Sequence, residues 1–436
     1  MSVSLVFFVK VGPRRNPQKA GTAAVSDTLL AVDPLVLLVF LLVYLGMMLG
    51  GLPGLALDRA GVAVLGAIAL VASGRVTPEE AVLALDVPTM ALLFALMVVS
   101  AQLRLGGLYT HLTRRLAGAP LSPSSLLAAL ILLAGGLSAV LANDIVCLAM
   151  APVLVEGCAR RGLDPRPYLL GLACAANVGS AATLIGNPQN MLIGQTLQLS
   201  FAGYLKDAGV PALLGLAVVF WVIRASVRGQ WLKHTPIPVV RAPQLNRWQA
   251  SKGIAVVALV MLCFLLAPWP REVVALAAAG VLLLSRRLAS RDMLGLVDWN
   301  LLALFAGLFV VNHAVAASGL LAAGSAAARA AGVDPSHPAW LFAAAAVLSN
   351  LVSNVPAVML LLPEATHPLA GPILALSSTL AGNLILVGSI ANLIVVDQAA
   401  PLGVTITWRE HARVGVPVTL ATLALAAAWL ALRAWW

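Results

Sequence analysis

Four short polar clusters interrupt a sequence that is otherwise almost uniformly apolar: Asn143-Asp144, Gly186-Asn187-Pro188-Gln189-Asn190, Ser353-Asn354-Val355-Pro356 and Gly388-Ser389-Ile390-Ala391-Asn392. Amides and hydroxyls can hydrogen-bond in an apolar interior without the cost of burying a full charge. A helix that breaks at such a point leaves free N–H groups at one end and free C=O groups at the other. The first attract anions and the second can coordinate Na⁺. The chemistry on offer is therefore non-covalent capture of small ions. Covalent or hydrolytic chemistry lacks its residues, because the chain has no paired-Asp motif, no HExxH, no GxSxG and no metal spacing among its cysteines. A non-enzyme is expected, with no cofactor beyond Na⁺ or H⁺ as a coupling ion.

Asp144 stands apart as an ionisable residue deep in an apolar stretch, where even lenient scales charge about 2.5–3.5 kcal/mol. It could carry a coupling proton, ligate Na⁺, or cap the helix that follows it. Asp86 and Asp298 open apolar segments and read as helix caps. His313 falls within a span and reads as a helix residue bonded to a partner. No Arg or Lys is expected mid-span at the site, so an anion would depend on helix dipoles, hydroxyls, amides and a co-bound cation.

The elements that must position these residues are membrane helices. Of 436 residues, 61% are hydrophobic and 10% charged, against about 25% charged in a soluble domain. That balance excludes a water-soluble protein. Apolar spans are read near 33–52, 57–74, 89–105, 167–199, 205–226, 250–268, 272–288, 298–318, 370–396 and 414–434. Two longer stretches, 123–160 and 338–364, are broken centrally by polar residues. Two ordinary spans with a tight turn would explain each, but a re-entrant hairpin whose tip stops at membrane depth is the reading adopted. Arg and Lys then collect on one side, as cytoplasmic loops require, so the net charge of +10 does not argue for nucleic acid. Residues 1–32, with Lys10, Arg14, Arg15 and Lys19, break that rule and are left unassigned. The basic stretch 227–249 reads as a cytoplasmic linker between two halves.

The halves repeat. Asp86 aligns with Asp298 at an offset of 212, Ser138 with Ser349 and Asn143 with Asn354 at 211, and Gly186 with Gly388 and Asn190 with Asn392 at 202. Each half, 33–226 and 250–436, would hold about five transmembrane helices, one of them broken (167–199 and 370–396), and one re-entrant hairpin. The expected fold is thus an all-α integral membrane protein with an inverted-topology repeat and broken helices at the midplane, the signature of secondary transporters.

The clusters also resemble a known group. SAVLANDIVCLAMAPVL, NVGSAATLIGNPQNMLIG and SNLVSNVPAVMLLLP are similar to signatures of the ion transporter superfamily, which includes arsenite permeases, sodium/proton antiporters, citrate transporters and divalent anion/sodium symporters. The resemblance runs from about 35 to 434. It implies a multi-pass protein of a bacterial-type cell membrane that moves a small anion, either an inorganic oxyanion or a carboxylate. Lipid and a second copy in a homodimer are the partners it implies. Asn143, Asn187, Asn190, Ser353, Asn354, Ser389 and Asn392 are the expected substrate contacts, and Asp144, Asn143, Gly186, Asn354 and Gly388 the expected cation or proton contacts. Two departures are visible. The tips read Ala142-Asn143-Asp144 and Ser353-Asn354-Val355 where the divalent-anion symporters carry Ser-Asn-Thr, and Ser353 stands where the antiporters carry Asp.

Overall fold

A computed structural model describes residues 33–52, 54–233 and 236–434. Residues 1–32, left unassigned above, lie outside it. The described residues form helices throughout, apart from 3-10 turns and two isolated β-bridges.

The first half runs α1 (Pro34–Leu49), α2 (Arg59–Ala72), α3 (Pro78–Ala84), α4 (Val87–Leu105), α5 (Leu108–Ala117), α6 (Pro123–Val140), α7 (Asn143–Arg160), α8 (Pro165–Ser180), α9 (Pro188–Thr196) and α10 (Phe201–Val227). The second runs α11 (Arg247–Leu266), α12 (Arg271–Leu283), α13 (Ser290–Leu294), α14 (Trp299–Ala317), α15 (Leu320–Ala330), α16 (Pro338–Val352), α17 (Asn354–Leu361), α18 (Ala370–Ala381), α19 (Ile390–Ala399) and α20 (Trp408–Ala434). Each helix therefore answers the one ten places later.

Local chemistry explains the boundaries. Asp86 and Asp298 both cap their helices, accepting from the backbone N–H of Thr89 and Leu301, as a short acidic side chain does at an N-cap. Pro123, Pro165, Pro188 and Pro338 occupy first helical positions, where a missing N–H costs nothing. The short helices α3, α5, α13 and α15 escaped the hydropathy reading because it looks for spans of about 20 residues. A capping box of Thr77 and Glu80 marks α3 in retrospect.

Six helices (α4, α6, α10, α11, α14 and α20) are long and apolar enough to cross a membrane. Their outward faces carry Leu132, Leu213, Leu262, Leu266 and Leu420, all exposed, a surface that suits lipid rather than water. The chain is a multi-pass membrane protein. His313 is exposed on α14, not bonded inside as its span position suggested. His411 is the buried histidine, with its ring Nε2 in hydrogen-bond range of the Asn383 carbonyl at 3.1 Å. It lies on a helix that starts earlier than the hydropathy showed.

Packing is reciprocal. α2 packs on α14 and α12 on α4; α9 packs on α18 and α19 on α8; α10 and α20 pack on each other. Swapping every helix for its mate reproduces these same pairs.

Candidate functional site

The breaks are built by asparagine. Between α8 and α9 the chain is non-helical over 181–187, and Asn190 closes the gap. Its side-chain amide donates to the carbonyls of Ser180 (3.3 Å) and Thr183 (2.9 Å) and to the Tyr204 hydroxyl (3.1 Å). Between α18 and α19, Asn392 donates to the carbonyls of Gly382 (2.9 Å) and Ile385 (3.4 Å). Every residue of that second set lies 202 places after its counterpart. The same side chain thus satisfies the same orphaned carbonyls in both halves.

The two breaks also brace one another. Asn177, near the end of α8, donates to Asn392 Oδ1 (3.2 Å) and Asn383 Oδ1 (2.8 Å) and accepts from the Ser389 hydroxyl (2.8 Å). Thr379, its mate near the end of α18, accepts from the Asn187 amide (3.3 Å) and donates to Asn190 Oδ1 (3.5 Å). Each half reaches across to the cap of the other.

Glycine is required at the first break by contact rather than by dihedral. A Cβ on Gly186 would sit 2.3 Å from the Ser180 carbonyl oxygen and 2.8 Å from that of Ser138. On Gly388 it would meet the Asn350 Oδ1 at 2.8 Å and the Gly382 carbonyl oxygen at 3.1 Å, a looser fit whose nearest atom belongs to a side chain.

The hairpin tips meet this core from two sides. α6 ends and α7 begins across Leu141 and Ala142; Ser353, with φ of 75°, separates α16 from α17. Ala142 is the N-cap of α7 and makes no side-chain bond, so Asp144 does not serve as the cap. Pro356 is the third residue of α17 rather than its first. Asn143 and Asn354, repeat mates, each bury an Oδ1 with no hydrogen-bond partner, and so do the hydroxyls of Ser138 and Ser349. Asn143 makes one weak side-chain bond, donating to Asn177 Oδ1 at 3.4 Å. Of these residues, Asn143 and Asn354 line the cavity between the tips, where a cation or a hydrogen-bond donor would recover the bonds their oxygens lack.

One cavity of about 40 Å³ lies between the tips, lined by Asn143, Asp144, Asn187, Ser353, Asn354 and Ser389. It has room for a few waters or a bare ion, not for a polycarboxylate. Asn190, Asn392, Gly186 and Gly388 stand behind this wall, the two asparagines with their amides committed to backbone. Expected as direct contacts, these four do not line this cavity.

The cavity wall also holds Arg59, the first residue of α2. It falls at the start of the span read at 57–74, and no cation was expected mid-span at the site. The chain turns back at 50–58 through a Gly51–Asp58 bridge, and Arg59 Nε donates to the Met47 carbonyl at 3.1 Å, which points the guanidinium toward the tips. Its signal in the sequence is Arg271, at the offset of 212 already set by Asp86 and Asp298. Among the described residues Arg59 and Asp144 are not an ion pair, although both face the same cavity.

Known proteins resemble this chain in sequence and fold. A sequence model of the citrate transporter family matches residues 35–373. The chain belongs to the citrate transporter family. Across the family, similarity extends to a 46 kDa membrane protein of Mycobacterium leprae, 27% identical over 80% of this chain and 87% of that one. It extends also to the silicon efflux transporter LSI3 of Oryza sativa subsp. japonica, 29% identical over 86% and 92%. An uncharacterized transporter of Mycobacterium tuberculosis is 30% identical over 80% and 87%. The crystal structure of the Alcanivorax borkumensis YdaH transporter, described as having an unusual topology, superposes with a TM-score of 0.55 at 14% identity, covering 92% of this chain and 97% of that one. That likeness concerns the fold. Family and relatives make this citrate-transporter-family chain a membrane transport protein.

Proposed function

We propose that the chain is a secondary active transporter of a small anion, an inorganic oxyanion or a carboxylate, moved by alternating access and coupled to H⁺ or Na⁺. The observation that carries this reading is the cavity on which Arg59 and Asp144 both face, unpaired, between two asparagine tips. A buried charge without a partner is costly. An anion on Arg59 together with a proton or Na⁺ at Asp144 leaves the site neutral, whereas either alone does not. That is the logic of coupled movement. Val355 stands at the mate of Asp144, so the coupling charge belongs to the first hairpin.

Departures from the repeat's symmetry support alternating access. α9 packs on α4 and α16 on α1, whereas their mates, α19 with α14 and α6 with α11, hardly touch. A cavity of about 100 Å³ separates Ile394 of α19 from Leu301 of α14. Two inverted copies that occupy unlike arrangements can exchange them, closing one face while opening the other.

A second reading is export of a weak oxyacid, favoured by the similarity to the silicon efflux transporter over most of both chains. Sodium/proton antiport is disfavoured by Ser353 at the second tip. Proteoliposome flux with imposed Na⁺ or pH gradients, across citrate, phosphate, arsenite and silicic acid, separates these. Gradient-driven anion uptake supports the first reading and proton-driven oxyacid export the second; gradient-insensitive leakage of all of them defeats both.

A further inference from the structure

We infer that a second anion site lies on the basic side of the protein, beneath the linker, where Arg104, Tyr109 and Arg241 line a cavity of about 320 Å³. Its ligand class is a small oxyanion or carboxylate, the transported anion on its way to or from the tips. The inference rests on the anion reading above and names a further binding site for it.

The linker is held at both ends. The Asp164 N–H donates to the Trp231 carbonyl (2.9 Å) and the Lys233 N–H to the Gly162 carbonyl (3.0 Å). At the other end the Asn246 N–H donates to the Gly106 carbonyl (3.0 Å), and Gly107, with φ of 72°, lets the Gln244 carbonyl come so close that any Cβ would clash at 2.4 Å. Between these pins, residues 239–243 roof the cavity.

Arginines nearby are already spent. Arg161 donates to the carbonyls of Ala117, Ala119 and Leu121; Arg114 and Arg160 pair with Glu156; Arg166 pairs with Asp164 and Glu410. Arg104 and Arg241 form no ion pair and donate no side-chain hydrogen bond among the described residues, and both face the cavity. Tyr109 is 1% exposed and lines the same cavity. The hydroxyl itself is closed off from the cavity beside the Ser100 hydroxyl, so the anion's direct partners are the two guanidinium groups.

The site also lies on a route. Arg104 and Leu148 line both this cavity and the one of about 100 Å³ beside it, and that second cavity shares Asp144, Pro188 and Leu301 with the tip cavity. Asp144 and Asp298 face the middle cavity with Arg104 but form no ion pair with it. The largest of the three spaces is the one that carries two free guanidinium groups.

A reporter cysteine tests this without requiring transport. Gln398 lines the cavity and is half-buried, so Gln398→Cys in a Cys263→Ser chain is exposed to anionic methanethiosulfonate ethylsulfonate and to its cationic trimethylammonium counterpart. With each rate normalised to that reagent's rate with a small free thiol, the anionic reagent should be favoured about tenfold over the cationic one, within the range charged clefts produce. The preference should fall to near parity in Arg104→Gln/Arg241→Gln, and millimolar citrate or phosphate should slow modification only with both arginines present. Thr110→Cys, on the same wall, repeats the test should the first reporter fold poorly. Equal normalised rates for the two reagents, or a preference and protection that survive the double substitution, would overturn the site. Anion preference here with no gradient-driven flux of any anion in proteoliposomes would instead count against the transport reading.

Discussion

At the scale of single residues, function and bracing separate. Asn177 is 2% exposed and joins four polar partners, so Asn177→Ala leaves several buried groups unpaired and should cost about 2–4 kcal/mol, read as a lowered Tm in detergent. Asn143 has one weak bond and an orphaned oxygen. Asn143→Ala, and likewise Asn354→Ala, should keep Tm within about 2–4 °C of the parent, the shift expected for about 1 kcal/mol in a chain of 150 residues or more, while abolishing flux. Full flux in either variant removes the case for a paired tip site. Arg59→Gln should lower anion flux about tenfold or more, the worth of a charge-assisted hydrogen bond. Asp144→Asn should uncouple flux from the imposed gradient. The sequence made Asn143, Asn187, Ser353, Asn354 and Ser389 legible because polar residues are rare here. Asn177, Thr379 and Arg59 were missed because they sit in the last turn or at the first residue of a helix, outside the polar clusters that marked the breaks.

At the scale of elements, the two breaks look alike in sequence but tolerate change differently. Gly186→Ala drives a Cβ into backbone carbonyls of two helices, which cannot turn aside, and should cost about 3 kcal/mol or more. Gly388→Ala meets a side-chain oxygen first and should cost about 1 kcal/mol; equal losses in thermal unfolding would contradict the contact argument. The breaks themselves were readable, since Gly, Asn and Pro in an apolar run leave few alternatives. The four short helices were not readable by the same method, because they are too short to register as spans. The pairing of the halves was read from offsets of 212, 211 and 202; the hydrogen bonds of Asn190 and Asn392 follow the last of these.

At the scale of the molecule, the paired arginines Arg59 and Arg271 tell the two halves apart. Arg271 opens α12 and donates to the Gly194 carbonyl near the end of α9 at 2.6 Å. The corresponding bond for Arg59 would run to Val396, 202 residues after Gly194, but Arg59 donates to Met47 and faces the tip cavity instead. One arginine is latched to its broken helix and its mate is not. α9 packs on α4, whereas α19 hardly touches α14; the cavity between these helices is lined by Ile394 of α19 and by Pro188 and Met191 of α9. Leu192 on α9 is 2% exposed, whereas its mate Ile394 on α19 lines that cavity. A cysteine at 394 should therefore react with a small thiol reagent at least about tenfold faster than one at 192, in proportion to their opening free energies. Arg271→Gln removes the latch and should bring the two rates together, chiefly by raising the rate at 192. Asp207–Arg433 also ties the halves, at 2.9 Å, but holds neither broken helix. Arg433→Gln should leave the ratio unchanged, and a shift as large as that of Arg271→Gln would show that general loosening, rather than a latch on α9, sets which face is closed.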